Sequence, residues 1–82
     1  MSEVTFYSAD WCSDCRRSKA FMLKHDVEFV ENNVEESAEL AAKAEAIAGR
    51  KNIPVIQFKD GAFLVEPSDA DLQAALAERG LI

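Results

Sequence analysis

In Trp11-Cys12-Ser13-Asp14-Cys15-Arg16-Arg17 stand the two cysteines of the sequence, three positions apart. On a helix, residues three apart are surface neighbours. Two thiols spaced this way can close a disulfide with little movement. Ahead of the stretch lies a strand-like run, Val4-Thr5-Phe6-Tyr7, and behind it a helix-like one. Cys12 thereby falls at a helix start, beside unpaired backbone N–H groups and the positive end of the helix dipole. Both favour the thiolate, the nucleophilic form of cysteine. Strand, short loop, Cys-x-x-Cys and helix together make a redox-active thiol pair.

Other uses of the pair account for less. A structural zinc takes about four protein ligands, and the chain offers only Cys12, Cys15 and the distant His25. No metal is expected. A purely structural disulfide here would close a very small ring and add little stability. Two inert buried cysteines would leave the neighbouring Trp11 and the strand-then-helix setting without a reason.

The length of 82 residues suits one domain, 1–82, and 49% hydrophobic residues suffice for one core. No apolar run is long enough to span a bilayer. Met1-Ser2-Glu3 lacks the basic and apolar segments of a signal peptide, so a cytoplasmic location is expected. In a reducing compartment a cysteine pair is more often catalytic than structural. A net charge of −6 argues against general binding to nucleic acid or membrane surfaces. Positive charge is local: Arg16, Arg17 and Lys19 beside the cysteines, and Arg50-Lys51 further on.

Outward from the cysteines, a strand is expected over 3–7 and a helix over 13–24. Cys15, Ser18 and Met22 share one helix face, which predicts an accessible Cys12 and a more buried Cys15. His25-Asp26 ends the helix, His25 near its negative pole. Residues 27–31 read as a second strand. Asn33 with Glu36 resembles a capping box for a second helix that turns Leu40, Ala44 and Ile47 inward and stops at Gly49. Glu35, Glu36, Glu39 and Glu45 form its solvated side. A third strand is expected over 53–58, with Pro54 at its tolerant first position. Asp60-Gly61 signals a hairpin into Phe63-Leu64-Val65. Ser68 with Asp71 caps a last helix carrying Leu72, Ala75 and Leu76 on its apolar side, and Gly80 closes it. The strand–helix–strand unit implies two parallel strands joined by a right-handed crossover; the hairpin adds antiparallel ones.

With these residues in place, the chain resembles a glutaredoxin, within the thioredoxin-fold superfamily. The likeness rests on Cys12-Ser13-Asp14-Cys15 after the first strand, Asn52-Ile53-Pro54-Val55 at the third, and the Asp60-Gly61 hairpin. Trp11 is a thioredoxin-like touch. The resemblance implies an α/β fold, β-α-β-α-β-β-α with a four-stranded mixed sheet flanked by helices, and a cis Pro54 facing the cysteines. Two departures concern glutathione. Ala9 stands where glutathione-using members usually carry lysine, and Glu66-Pro67-Ser68-Asp69 replaces their Gly-Gly pair. The hairpin followed by a Pro-Ser helix start is similar to the mycoredoxin branch, which works with a different small thiol.

The implied activity is thiol–disulfide exchange at Cys12, with Cys15 as resolving thiol. A low-molecular-weight thiol is the implied co-substrate: mycothiol, bacillithiol or glutathione. Cys15 can release the substrate, or a small thiol can attack the Cys12 mixed disulfide directly. Both routes fit the sequence. Asp14 favours the helix dipole but opposes a thiolate on Cys12; Arg16 could offset it, or Arg16 and Arg17 could pair with Asp10 and Asp14. Trp11 reads as a substrate platform or a core residue. By resemblance, the Ile53 backbone beside Pro54 would pair with a bound thiol, and Ser68 and Asp69 would meet its polar end. Arg50 or Lys51 could hold a carboxylate, or be plain loop charge. Expected partners are disulfide-containing or S-thiolated client proteins and a thiol reductase system, the protein acting as a monomer. Two other functions compete: a dithiol hydrogen donor recharged by thioredoxin reductase, and an iron–sulfur cluster carrier.

Overall fold

A computed structural model describes residues 4–82, so the reading of Met1-Ser2-Glu3 lies outside the described residues. The elements run β1 (Val4–Ser8), α1 (Ser13–Lys24), β2 (Val30–Asn33), α2 (Ala38–Ala48), β3 (Val55–Phe58), β4 (Phe63–Val65) and α3 (Asp69–Glu78). The four strands form one mixed sheet in the order β2-β1-β3-β4. β1 runs parallel to β2, with Thr5 opposite Val30, and antiparallel to β3, with Tyr7 opposite Val55. β3 and β4 pair antiparallel, Ile56 opposite Leu64. The element order and mixed sheet are those of the thioredoxin-like fold expected from the sequence.

Alternation along the strands divides the core between the two faces of the sheet. Val4, Phe6, Ile56 and Phe58 pack with Cys15 and Met22 of α1 and Leu72 and Leu76 of α3. On the opposite face Tyr7 and Val55 meet Ala44, with Ile47 and Ala48 of α2 and Val34 against them. The face predicted for α1 holds: Cys15, Ser18 and Met22 are its buried residues. On α2, Ala44 is buried while Leu40 and Ile47 are half-buried, and Glu35, Glu36, Glu39 and Glu45 are exposed.

Three expected boundaries shift for identifiable reasons. The second strand begins at Val30 rather than Val27. The end of α1 uses the intervening residues as a cap: Asp26 adopts φ 57°, its N–H reaches Leu23 O, and the Val27 N–H reaches Met22 O. This is a Schellman arrangement; it buries Val27 under the helix and delays the extended backbone. The second correction concerns Asn33. It ends β2, and its Oδ1 accepts the Glu35 N–H at 2.9 Å, making a turn instead of a capping box with Glu36. Ser37 is the N-cap of α2, its hydroxyl accepting from the N–H groups of Glu39 and Leu40. Third, β3 starts at Val55; the Ile53–Pro54 bond ahead of it is cis.

The remaining signals act as read. Ser68 Oγ accepts the Asp71 N–H at 3.1 Å. The hairpin closes through Gly61 at φ 94°, a backbone region open to glycine, with Asp60 Oδ1 accepting the Ala62 N–H. Both ends of α3 are tied to the body. Arg17 donates to Pro67 O and lies 3.5 Å from Asp69, while Arg79 pairs with Asp60 at 3.1 Å and stacks over the Phe58 ring. Across the other edge, Lys19 pairs with Glu31 at 2.8 Å, and this contact foremost holds the Glu31 carboxyl below its ordinary value. Among the described residues no helix is long and apolar enough to cross a membrane.

Leu76 is 0% exposed and Leu23 58% exposed. Leu76→Ala is expected to cost about 2–5 kcal/mol through lost burial and a residual cavity. Leu23→Ala is expected to stay within about 0.5 kcal/mol. Urea denaturation midpoints of the two variants check the contrast.

Candidate active site

The site is assembled by α1 and the segment leading into β3. Cys12 ends the loop after β1 and is the N-cap of α1, its backbone still extended (φ −84°, ψ 112°). Its Sγ accepts the Cys15 N–H at 3.2 Å, the bond a serine or aspartate oxygen usually makes at this position. From the other side, Cys12 Sγ lies 3.9 Å from the Ile53 carbonyl oxygen, toward which its thiol donates. The sulfur therefore sits between a helix start and the backbone beside the cis proline.

The two thiols are unequal. Cys15 is the more buried as expected, at 2% exposed, but Cys12, expected to be accessible, is itself buried at 7%, because its Sγ is turned to the Cys15 N–H and the Ile53 carbonyl. Both are free thiols. What makes Cys12 reachable is an open cleft of about 430 Å³ lined by Trp11, Cys12, Ser13, Asp14, Lys51, Asn52, Ile53 and Glu66. Cys15 lies on the far side of α1's first turn. Burial foremost, and its hydrogen bond to Cys12, push the Cys15 thiol from an ordinary 9.0 up to about 12. At neutral pH it is a proton-bearing neighbour of Cys12.

The other residues singled out from the sequence divide into two groups. Trp11, Lys51 and Ile53 line the cleft with Cys12, and Trp11 is 65% exposed at its lip. Pro54 is buried beneath it and accepts the Glu66 N–H through its carbonyl at 2.9 Å. Arg16, Arg50, Ser68 and Asp69 are not among the lining residues. Arg16 turns to the opposite side of α1, where its guanidinium donates to the Asp10 carbonyl oxygen at 2.6 and 3.0 Å. Ser68 is engaged as the cap of α3, and Asp69 faces Arg17. Arg17 also lies 3.4 Å from Asp14. Sequence reasoning did not single out Asn52 and Glu66 as site residues. For Glu66 the one signal was that Glu66-Pro67-Ser68-Asp69 stands where the resemblance has a Gly-Gly pair; its place in the cleft was not readable from that. Among the described residues no group of three or more His, Cys, Asp or Glu is placed to hold a metal ion.

The sequence profile of the glutaredoxin family matches residues 4–63, from β1 through the cysteines and the cis proline to the start of β4. The chain belongs to the glutaredoxin family. Glutaredoxins are thiol–disulfide oxidoreductases that use glutathione-like thiols. Curated relatives named as glutaredoxins in two strains of Mycobacterium tuberculosis are 26% identical over 76 residues, covering 92% of this chain and 90% of theirs. Among solved structures, a glutaredoxin from Archaeoglobus fulgidus is 22% identical with a TM-score of 0.81, over 90% of this chain and 85% of its own. The glutaredoxin-like NrdH-redoxin of Escherichia coli is 24% identical with a TM-score of 0.73, over 87% of this chain and 91% of its own. These two likenesses establish the shared fold.

The high Cys15 value carries a stability consequence. Below pH 9 the thiol is neutral in folded and unfolded chains alike. Between about 9 and 12 the unfolded chain releases its proton first, so the native state loses stability as pH rises through that window. Relative to reduced wild type, Cys15→Ser is expected to lack this decline. Urea midpoints of both proteins at pH 8 and pH 10.5 read it: the gap between them should move in favour of the variant at the higher pH.

Proposed function

We propose that this glutaredoxin reduces protein disulfides, and mixed disulfides between protein cysteines and a low-molecular-weight thiol, with Cys12 as nucleophile and Cys15 as resolving thiol. The observation that carries this reading is the asymmetry of the pair. Cys12 faces an open cleft while its Sγ accepts the Cys15 N–H; a donor aimed at sulfur stabilises charge that develops there. Cys15 is covered and holds its proton.

The Cys12 thiolate attacks one sulfur of the substrate disulfide. That S–S bond breaks, its electron pair leaves on the other sulfur, and a Cys12 mixed disulfide forms. Ile53 O and the neighbouring backbone offer an edge along which the substrate's peptide-like portion lies. Two completions follow. Cys15 gives up its proton and attacks Cys12, leaving a Cys12–Cys15 disulfide and the second substrate thiol. Alternatively a small thiol attacks the mixed disulfide and restores Cys12. The Pro67-Ser68 start of α3 and the mycobacterial relatives favour a mycoredoxin-like use of the second route, in a reducing compartment such as the cytoplasm. The exposed Trp11 favours a second reading, a dithiol donor recharged directly by thioredoxin reductase; the NrdH-redoxin of E. coli, which shares the fold, has a thioredoxin-like activity profile.

The test is reduction of a defined protein mixed disulfide carrying mycothiol, bacillithiol or glutathione in turn. Cys12→Ser is expected to lose activity by about a hundredfold or more, since Cys15, the other thiol, does not line the cleft. Cys15→Ser is expected to stay within about threefold of wild type when the small thiol is supplied. Equal loss in both variants, with turnover only when thioredoxin reductase is present, would assign the dithiol route. Full activity in Cys12→Ser would overturn the mechanism.

A further inference from the structure

β4 ends at Val65, and Glu66 follows with φ 49°, a left-handed backbone rarely taken by residues other than glycine. Two bonds hold it there. Its N–H donates to Pro54 O at 2.9 Å, and its Oε2 accepts the Asn52 amide at 3.3 Å. The Glu66 and Asn52 side chains both line the cleft beside Cys12. The backbone bond sets the turn at Glu66, and the bond to Asn52 turns its exposed carboxylate along the cleft that Cys12 also lines. Its partner Asn52 is neutral and leaves the charge in place. The lining sets two carboxylates, Asp14 and Glu66, against one ammonium, Lys51. Asp14 lies within 3.4 Å of Arg17, outside the cleft, which offsets it. Lys51 balances one of the two carboxylates, so the lining as a whole carries one net negative charge, and Glu66 is the carboxylate whose partner is neutral.

We propose that Glu66 is a specificity-determining residue that selects substrates uncharged or cationic next to the reacting sulfur and disfavours anionic ones. This rests on the reading of Cys12 as nucleophile. A carboxylate at the rim of the open cleft repels a carboxylate on the incoming thiol carrier. A hydroxyl-rich or amine-bearing carrier instead offers it donors. A carrier without carboxylates near its sulfur fits this lining better than glutathione with its two carboxylates. The same rule applies to client proteins: cysteines flanked by Lys, Arg or uncharged residues fit better than cysteines flanked by Asp or Glu.

Three small symmetric disulfides separate charge from shape: cystamine (cationic), 2-hydroxyethyl disulfide (neutral) and 3,3′-dithiodipropionate (anionic). In a Cys15→Ser background each reaction halts after one exchange: the Cys12–S bond forms, the probe S–S bond breaks, and one thiolate leaves. The rate is read from the fluorescence of Trp11, the single tryptophan, and the adduct from mass. Each rate is divided by that of free N-acetylcysteine with the same probe, which removes intrinsic probe reactivity. Ratios between probes also cancel any change in the reactivity of Cys12 itself. At low salt, cystamine is expected to exceed dithiodipropionate by about tenfold, with hydroxyethyl disulfide between. Glu66→Gln is expected to narrow this to about threefold, as is ~0.5 M salt. Glu28→Gln removes one equal charge at an exposed site outside the cleft lining and is expected to leave the ratio within about a third of its starting value. A ratio near one in the parent, no change in Glu66→Gln, or equal narrowing in Glu28→Gln would overturn the assignment, the last by tracing the preference to the overall charge. Failure of all three probes to react at Cys12 would instead overturn the nucleophile reading itself, and this proposal with it.

Discussion

The antiparallel pairing of β1 with β3 is the constraint on which the site depends. It sets Tyr7 opposite Val55, and so brings the loop after β1 level with the segment before β3. Cys12 and Ile53, forty-one positions apart, meet there across 3.9 Å. The thiol could not sit beside the proline segment by local structure alone. The β1–β3 pairing has to be in place, and the alternating burial of Phe6 and Ile56 on one face and Tyr7 and Val55 on the other fixes its register. A slip of one residue would turn both sets over and part the two halves of the site.

Within that frame, α1 does two jobs with consecutive turns. Its first turn presents Cys12 to the cleft; its inner face drives Cys15, Ser18 and Met22 into the core. The difference between the two thiols follows from this division. One sulfur accepts from a backbone N–H at the edge of the core, and the other is held protonated by burial. A single helix phase thus gives two chemically identical side chains different environments. Arg17, from the outward side of the same helix, reaches Asp14 and Asp69 and ties the start of α3 to the start of α1.

Much of this was legible because the signals were local and strong. The strand–Cys-x-x-Cys–helix order, the Asp60-Gly61 turn and the Ser68 cap each specify their own few residues, and each forms as read. What was misplaced depends on competition between neighbours. Asn33 can cap a helix or close a turn, and the parallel pairing that ends at Ser8–Asn33 selects the turn, leaving Ser37 to cap. Val27 has the composition of a strand, but the end of α1 claims its N–H. At the site, the cysteines and Ile53 were visible from spacing and resemblance. Glu66 was not, because its place in the cleft comes from a left-handed turn and a bond to Pro54 that no local pattern encodes.

The sulfur of Cys12 is also the capping atom of α1. The lone pair that receives the Cys15 N–H belongs to the atom that, on the proposed mechanism, would form each covalent intermediate. A free thiolate is a strong acceptor, whereas a sulfur already bonded to another sulfur is a weak one. On that mechanism an adduct on Cys12 would leave the first turn of the helix less well terminated, and its release would restore the cap. The end of a helix, rather than a contact with the substrate, would then favour the unloaded protein.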